Sequence, residues 1–540
     1  SNYTLSTTVV FNKMTNLTTA SFKDFTIIGN PNTSISTLPN ANGLGVVGGL
    51  NCVLENVRAT NITSVGIMLK QCYNTTVRHC ISELDAYGAS YGLSVFSCHI
   101  TLIDGGRYDS STHGISIGGF SGGGVGTIGF VVNRFTTVTN ARVLSNLDSH
   151  GISEYTSFIN NNVDRGINCG GDHIKIIGNT IRRSNDFYES GTAITGDHPA
   201  ISLWELKGAS IQISGNDVIV IGNIAQARGT FIDSQSFGSD SQREGGTTLI
   251  SNNKFREYDN TIVSNPIEIG KFGSISEDFD TSIVIRGNEF SSNGDTNTGV
   301  CYIRSDGDVT TFSNVVFSDN YLEGIGGLSV STVETVKVFN NEFKRTGKVF
   351  IGTNIGRKLD IQGNTVIDGD GNAPFYSTGS LIGSSVVCTN NSVDNHFKIT
   401  SSDSRQKAFG YFLNFENATM QNNYLADYNK TLNVAVSTGF VVGETITGQT
   451  SGATATMLAE EQATRINIGQ TTVGTFQDGE TILGSVSAAT TTLTAVIPSQ
   501  SYKGSFTTIT NVRYINNVSS NDTLGYKFTA VTNLNATLST

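Results

Sequence analysis

One short pattern recurs along most of this chain and constrains its fold more than any other feature: apolar, any, apolar, any, any, Asn, any, apolar. It appears as Ile128-Phe130-Asn133-Phe135, Ile174-Ile176-Asn179-Ile181, Ile211-Ile213-Asn216-Val218, Thr248-Ile250-Asn253-Phe255 and Ile283-Ile285-Asn288-Phe290. Val315-Phe317-Asn320-Leu322, Val336-Val338-Asn341-Phe343, Leu359-Ile361-Asn364-Val366, Val386-Cys388-Asn391-Val393 and Ala418-Met420-Asn423-Leu425 follow, and Phe25-Ile27-Asn30 is a partial early copy. The apolar pair at period two makes a strand with one face inward. Asn, usually preceded by Gly or Asn, suits a tight bend with left-handed backbone angles. Stacked at the same bend of successive coils, Asn carboxamides can hydrogen-bond in a ladder. The copies start 21 to 46 residues apart, so the shortest steps fit one bare coil of three short strands and the longer ones carry inserted loops. A propeller needs about 40 residues per blade at an even spacing, which the 21-residue step excludes. The expected fold is all-β: a right-handed parallel β-helix, a solenoid of similar coils.

A second strand pattern, Gly-apolar-Ser-apolar, precedes the first in many coils. It reads Gly66-Ile-Met-Leu69, Gly92-Leu-Ser-Val95, Gly114-Ile-Ser-Ile117, Gly151-Ile-Ser-Glu154, Gly166-Ile-Asn-Cys169, Ala200-Ile-Ser-Leu203 and Gly327-Leu-Ser-Val330. Its apolar positions are expected inward and its Ser outward. The residue after it is expected outward too, which sets Phe96, Tyr155 and Trp204 on one outer face. Composition agrees with a β-solenoid: 60 Gly but only 6 Pro, 15% charged residues, and an aliphatic share rich in Val and Ile.

A net charge of -11 argues against a nucleic-acid backbone as the main partner. No uniform apolar run reaches the roughly 18 residues that span a bilayer, and no signal peptide is visible, so no membrane insertion is expected. The seven cysteines, Cys52, Cys72, Cys80, Cys98, Cys169, Cys301 and Cys388, are scattered without a CxxC. Neither a disulfide framework nor a zinc site is expected. Cys72, Cys98, Cys169 and Cys388 sit in apolar strand patterns and read as free buried thiols made in a reducing cytoplasm.

Near residue 430 the coil pattern stops. Residues 440–457 and 476–493 are copies of one another offset by 36 positions, and 430–500 reads as a small β-rich module of two similar halves. Val512-Arg-Tyr514-Ile-Asn-Asn517 then resembles the coil motif again, so the module is an insertion into, or a cap on, the C-terminal end. The expected division is a receptor-binding and catalytic β-helix over 1–428, the module over 429–503, and a terminal β segment over 504–540, a cap or trimer contact.

A β-helix with Asn-rich bends and outer aromatics resembles the tailspike proteins of bacteriophages, the receptor-binding polysaccharide depolymerases. The resemblance covers roughly residues 20–428 and rests on coil pattern and composition, not on a catalytic signature; the module also looks like repeats of phage tail and fibre proteins. Pectate lyases and polygalacturonases share the architecture, but the polygalacturonase Asn-Thr-Asp followed by paired Asp is missing. The resemblance implies a homotrimer attached to the rest of the virion tail, made in the host cytoplasm and acting on a polysaccharide of the bacterial surface. The chain opens at Ser1 and shows no head-binding domain, which reads as a truncated chain.

Cleaving a glycosidic bond needs two carboxylic groups, one protonating the leaving oxygen and one acting on water or the sugar. Partners on neighbouring rungs of a β-helix should lie one or two coils apart in sequence. Glu205 with Asp172, 33 residues away, and with Asp233, 28 residues away, fit this spacing. Glu154 is a further catalytic candidate because it replaces the inward apolar residue of its peers, where burial would make it a good general acid. Trp204, the only tryptophan, and Tyr155 are candidate sugar platforms lining one groove. Trp204 could equally sit under a loop or in a trimer interface, Glu205 be an ordinary exposed acid, Asp172 or Asp233 cap a turn, and Glu154 mark a local register break. His113-Gly-Ile-Ser and His150-Gly-Ile-Ser would stack two histidines which, with Arg165, could serve a lyase; stacked turn residues are the structural alternative. Asp186, Glu189, Asp197, Asp240 and Glu244, in inserts flanking Trp204, could wall the groove. No metal or organic cofactor is implied. The expectation is a tailspike endoglycosidase acting on O-antigen or capsule; a lyase on the same scaffold and a non-catalytic glycan-binding adhesin are the alternatives.

Overall fold

A computed structural model describes residues 19–29, 43–83, 91–110, 112–118, 132–150, 153–184, 200–206, 210–221, 232–236, 246–257, 267–272, 282–292, 301–306, 312–345, 349–367, 374–380, 383–394, 410–426, 430–462, 464–468, 473–497, 502–519 and 525–537. It divides into two units, Ser1–Asn293 with Ser305–Thr310 and Gly294–Arg304 with Thr311–Thr540.

The first unit is a parallel β-helix whose coils each pass through three sheets. Its first sheet stacks Val65–Lys70, Tyr91–Phe96, His113–Gly118, Asn146–Ser149, Gly166–Gly171 and Ile201–Leu206 in parallel register. The second stacks Tyr73–Arg78, His99–Asp104, Asn133–Thr139, Ser157–Ile159, Ile174–Ile177 and Ser210–Ser214. The third is short, running through Arg107–Tyr108, Arg142–Val143, Asn162–Val163 and Thr180–Ser184. Inward residues form stacked apolar columns: Ile67, Leu93, Ile115, Leu147, Ile167 and Ile201 are all buried in one of them.

The Asn ladder forms at the bend between the second and third sheets. Asn161, Asn179, Asn216 and Asn253 each donate both backbone N–H and side-chain Nδ2 to Oδ1 of the next Asn up, at 2.8–3.0 Å, ending on Asn288. Each Nδ2 also reaches back to a strand carbonyl, as Asn216 does to Ile176 at 2.9 Å. The buried Asn carboxamides thereby find their partners within the bend, as burial demands. The preceding residue is left-handed in each coil, Asn160, Gly178, Gly215, Asn252 and Gly287, with φ of 54–65°. A Cβ on Gly178 would lie 2.4 Å from Asn160 Oδ1, so glycine fits there for space as well as for φ.

Two copies of the repeat are misread by sequence. Asn133 is buried but belongs to the bend before the second sheet, where its Oδ1 accepts the Cys98 N–H at 3.0 Å. The ladder position of that coil is Ala141, whose N–H donates to Asn161 Oδ1 at 3.0 Å. Ile128 and Phe130 lie outside the described residues, and so does Asn30 of the partial copy. The second misread copy is Gly151-Ile-Ser-Glu154. The strand that stacks on Ile115–Ile117 is Leu147–Ser149, whereas Ser153–Glu154 pairs with Asn133–Arg134 in the second sheet.

The second unit repeats the plan. Cys301–Arg304, Leu328–Ser331, Phe350–Thr353 and Phe375–Ser377 stack in one sheet. Asn320, Asn341, Asn364, Asn391, Asn423 and Asn517 form a second ladder with the same geometry. The step from Asn423 to Asn517 skips a closed antiparallel barrel built from six strands between Lys430 and Ile497. Asn417–Gln421 pairs directly with Asn511–Ile515, so the coil resumes where it was interrupted. The halves of the barrel exchange one acid each. Buried Glu444 accepts N–H groups of Val441, Val486 and Ser487, and buried Glu480 accepts those of Gln477, Thr450 and Ser451. All seven cysteines of the chain are buried free thiols.

Candidate functional site

At the bend entering the second sheet of the first unit, bulky side chains occupy backbone that resists them. Phe135, Tyr155 and His173 stack in one column with φ of 54–57°. Directly below them Ile100 is left-handed too, with φ of 57°, and below it come Asn74 and Asn51, a residue type that takes such angles readily. A left-handed conformation costs a residue with a Cβ roughly 1–2 kcal/mol, so three aromatic residues in a row run against backbone preference. Their rings form a ladder, Phe135 to Tyr155 at 4.8 Å and Tyr155 to His173 at 4.4 Å between centroids. The ladder stays in solvent, with Phe135 50% and Tyr155 42% exposed.

The residue before each ring is charged. Arg134 and Glu154 pair in register, and Glu154 and Asp172 form a parallel bridge on the next rung. Adjacent rungs lie about 4.8 Å apart. Arg134 donates Nε to Glu154 Oε2 at 2.7 Å and a second nitrogen to Oε1 at 3.4 Å. Asp172 Oδ2 lies 3.0 Å from His173 Nδ1, a close contact not aligned as a hydrogen bond. One rung below Arg134, His99 is held below the usual imidazole range by burial and by the Arg134 guanidinium, with Glu154 opposing.

Before this bend, the first sheet ends in a second polar group. Asp148 stacks on Ser116 on the side of the strand opposite Leu147, yet it is only 1% exposed. Its Oδ2 accepts Ser116 Oγ at 3.2 Å and lies 2.7 Å from His150 Nε2. His150 meets the edge of His113 at 6.3 Å, and His113 stacks on Tyr91 at 5.4 Å. Burial pushes the His113 imidazole down; Asp148 opposes this, and His150 and Arg165 reinforce it.

The structure brings Glu154, Asp172 and Tyr155 together and separates other expected partners. Glu154 is not an inward buried acid: it lies in the short second-sheet strand Ser153–Glu154, half-exposed, because the first-sheet strand of that coil comes five residues earlier than the Gly-Ile-Ser spacing implies. For the same reason Tyr155 is not the counterpart of Trp204, and His150 stands at the end of its strand while His113 stands at the start of another. Asp233 pairs with Ser202, three residues before Glu205, and so is not opposite that acid. Leu206 pairs with Gly171, which sets the backbone of Glu205 near that of Asp172 on the adjacent rung. The side chains of Trp204, Glu205 and Asp233 lie outside the described residues, as do Asp186, Glu189, Asp197, Asp240 and Glu244.

Sequence reasoning missed Arg134, Phe135, His173 and Asp148. A signal for the first three exists: Arg134-Phe-Thr, Glu154-Tyr-Thr and Asp172-His-Ile repeat charged, aromatic, β-branched at one-coil spacing. Among the described residues no group of three or more His, Cys, Asp or Glu is arranged to hold a metal ion, and no helix is long and apolar enough to cross a membrane.

No protein-family model matches this sequence, and no curated protein matches it either. Solved structures that match include two tailspikes. That of Pseudomonas phage phi297 is 13% identical, with 81% of this chain and 62% of that chain covered at a TM-score of 0.33. The tailspike of Pseudomonas phage LKA1 is 15% identical, with 89% of this chain and 67% of that chain covered, also at 0.33. The chain thus spans less than two thirds of the phi297 protein.

Proposed function

We propose that this chain is a phage tailspike endoglycosidase that binds and hydrolyses a bacterial surface polysaccharide, with Glu154 and Asp172 as the cleaving pair. The observation that carries this reading is their bridge on adjacent rungs, half-exposed, beside a ladder of solvent-facing rings. A one-rung separation suits a retaining mechanism, where the carboxyl groups lie about 5–5.5 Å apart, better than an inverting one, which needs about 6.5–9.5 Å. Arg134, with two hydrogen bonds to Glu154, fits that residue as the nucleophilic carboxylate. Asp172 is then the acid that protonates the leaving oxygen and afterwards takes a proton from water. The ring ladder offers apolar surface to a sugar chain laid along the coil axis. Trimer formation and attachment to a virion tail belong to the same proposal.

A lyase is the second reading, favoured by His150 held on a buried carboxylate as a base would be. Release of reducing ends from a panel of O-antigens and capsules, in wild type, Glu154→Gln and Asp172→Asn, tests the hydrolase. Activity should fall by about 10²–10⁴ in either variant, the usual worth of a positioned acid or base. Full turnover in both removes the pair, ultraviolet-absorbing unsaturated products would indicate elimination, and binding without shortening would indicate an adhesin.

A further inference from the structure

The Asp148–His150 pair has a feature that coil stacking does not demand. Ser94, Ser116, Asn168 and Ser202 hold the same register position in neighbouring coils, so the scaffold accepts small neutral residues there. At 148 the chain carries a carboxylate instead and removes it from solvent. Burying a carboxylate costs several kcal/mol unless a cation or donors compensate it. Here the compensation is lopsided. Oδ2 is in contact with both Ser116 and His150, while buried Oδ1 has no hydrogen-bond partner among the described residues. His150 therefore stands against the buried carboxylate, and its side chain remains 37% exposed. A histidine placed only to neutralise a core acid would be buried with it. This one is fixed at Nε2 and still meets solvent, four residues before Glu154 in the same coil.

A permanent cation, Arg165, stands nearby. His113 and Arg165 lie within electrostatic reach of one another, and His113 is likewise coupled to His150. His150 thus stands with His113 and Arg165 in a chain whose net charge is -11. We infer that His150, positioned by Asp148 and Ser116, binds the carboxylate of an acidic sugar in the subsite next to Glu154 and Asp172. The inference rests on the proposed glycan-binding function for its location, but binding of the acidic group requires no cleavage.

Imidazole resonances of the histidines, followed by NMR during titration with sodium glucuronate and separately with methyl glucoside, test this without the natural substrate. Glucuronate should saturate the His150 shift while methyl glucoside leaves it unmoved, and Asp148→Asn and His150→Gln should each weaken glucuronate binding about tenfold or more. Equal response to the two sugars, no response to either, or unchanged affinity in a folded His150→Gln protein would overturn the assignment. Loss of cleavage in the Glu154 and Asp172 variants with glucuronate binding intact would keep the two proposals apart.

Discussion

Glu154 and Asp172 stand directly across from one another in a parallel bridge, closed by the Asp172 N–H on the Ser153 carbonyl at 2.8 Å and the Tyr155 N–H on the Asp172 carbonyl at 2.8 Å. The backbone places the two residues one rung apart. Because that spacing belongs to the scaffold, both carboxyl groups can be neutralised by substitution without moving the coil.

The buried ladder and an exposed imitation of it should respond differently to the same change. Asn216→Ala removes the acceptor of the Asn179 N–H and Nδ2 inside the bend, leaving two buried donors unmatched. Each costs about 1–3 kcal/mol, so roughly 3 kcal/mol of stability should be lost. Asn511 donates to Asn417 Oδ1 at a similar 2.8 Å, but in solvent. Asn511→Ala should cost less than about 1 kcal/mol, since water replaces the partner. Urea unfolding midpoints of the two variants check the contrast.

Tyr155→Asn should separate binding from stability. It relieves roughly 1–2 kcal/mol of left-handed strain while losing two ring contacts worth about 0.5–1.5 kcal/mol each. The terms nearly cancel, and the melting temperature should move little. Polysaccharide affinity, measured by calorimetry, should fall. Lower stability with unchanged affinity would make the ring ladder a structural device.

The barrel should lose stability in acid. Burial alone would raise the pKa of Glu444 and Glu480, but hydrogen bonds from Ser487, Val441 and Val486 to one, and from Gln477, Ser451 and Thr450 to the other, outweigh it and lower both. A carboxyl whose folded pKa lies below its unfolded value near 4.5 gives its full stabilisation above that pH and loses it as pH falls through the folded pKa. Barrel unfolding should therefore set in below about pH 4.5. Glu444→Gln and Glu480→Gln should flatten that dependence to a similar degree, because the two sites are copies. Thermal melts between neutral and acid pH measure it.

Most of the coil was legible because its signal is local. Ile211-Ile213-Asn216 places two inward side chains and one bend within six residues, and each copy repeats the same physics. The site was less legible because its register depends on how many residues each bend consumes. His113-Gly-Ile-Ser and His150-Gly-Ile-Ser look alike, yet Asn146–Ser149 already fills the first-sheet rung above Ile115–Ile117. An error of one bend moved Glu154 from the outside to the core and set Tyr155 beside Trp204. Asp148 was missed for a related reason: an acid in Asn-Leu-Asp-Ser reads as exposed until the rung beneath it is known to carry Ser116 and His113.

The stereochemistry of cleavage reports most directly on the claim that acids one rung apart perform it. Proton NMR of the first products released from the degraded polysaccharide should show the anomeric configuration of the cleaved linkage retained, before mutarotation sets in. Inverted product would require a pair about 6.5 Å or more apart, and Glu154 with Asp172 could not be that pair.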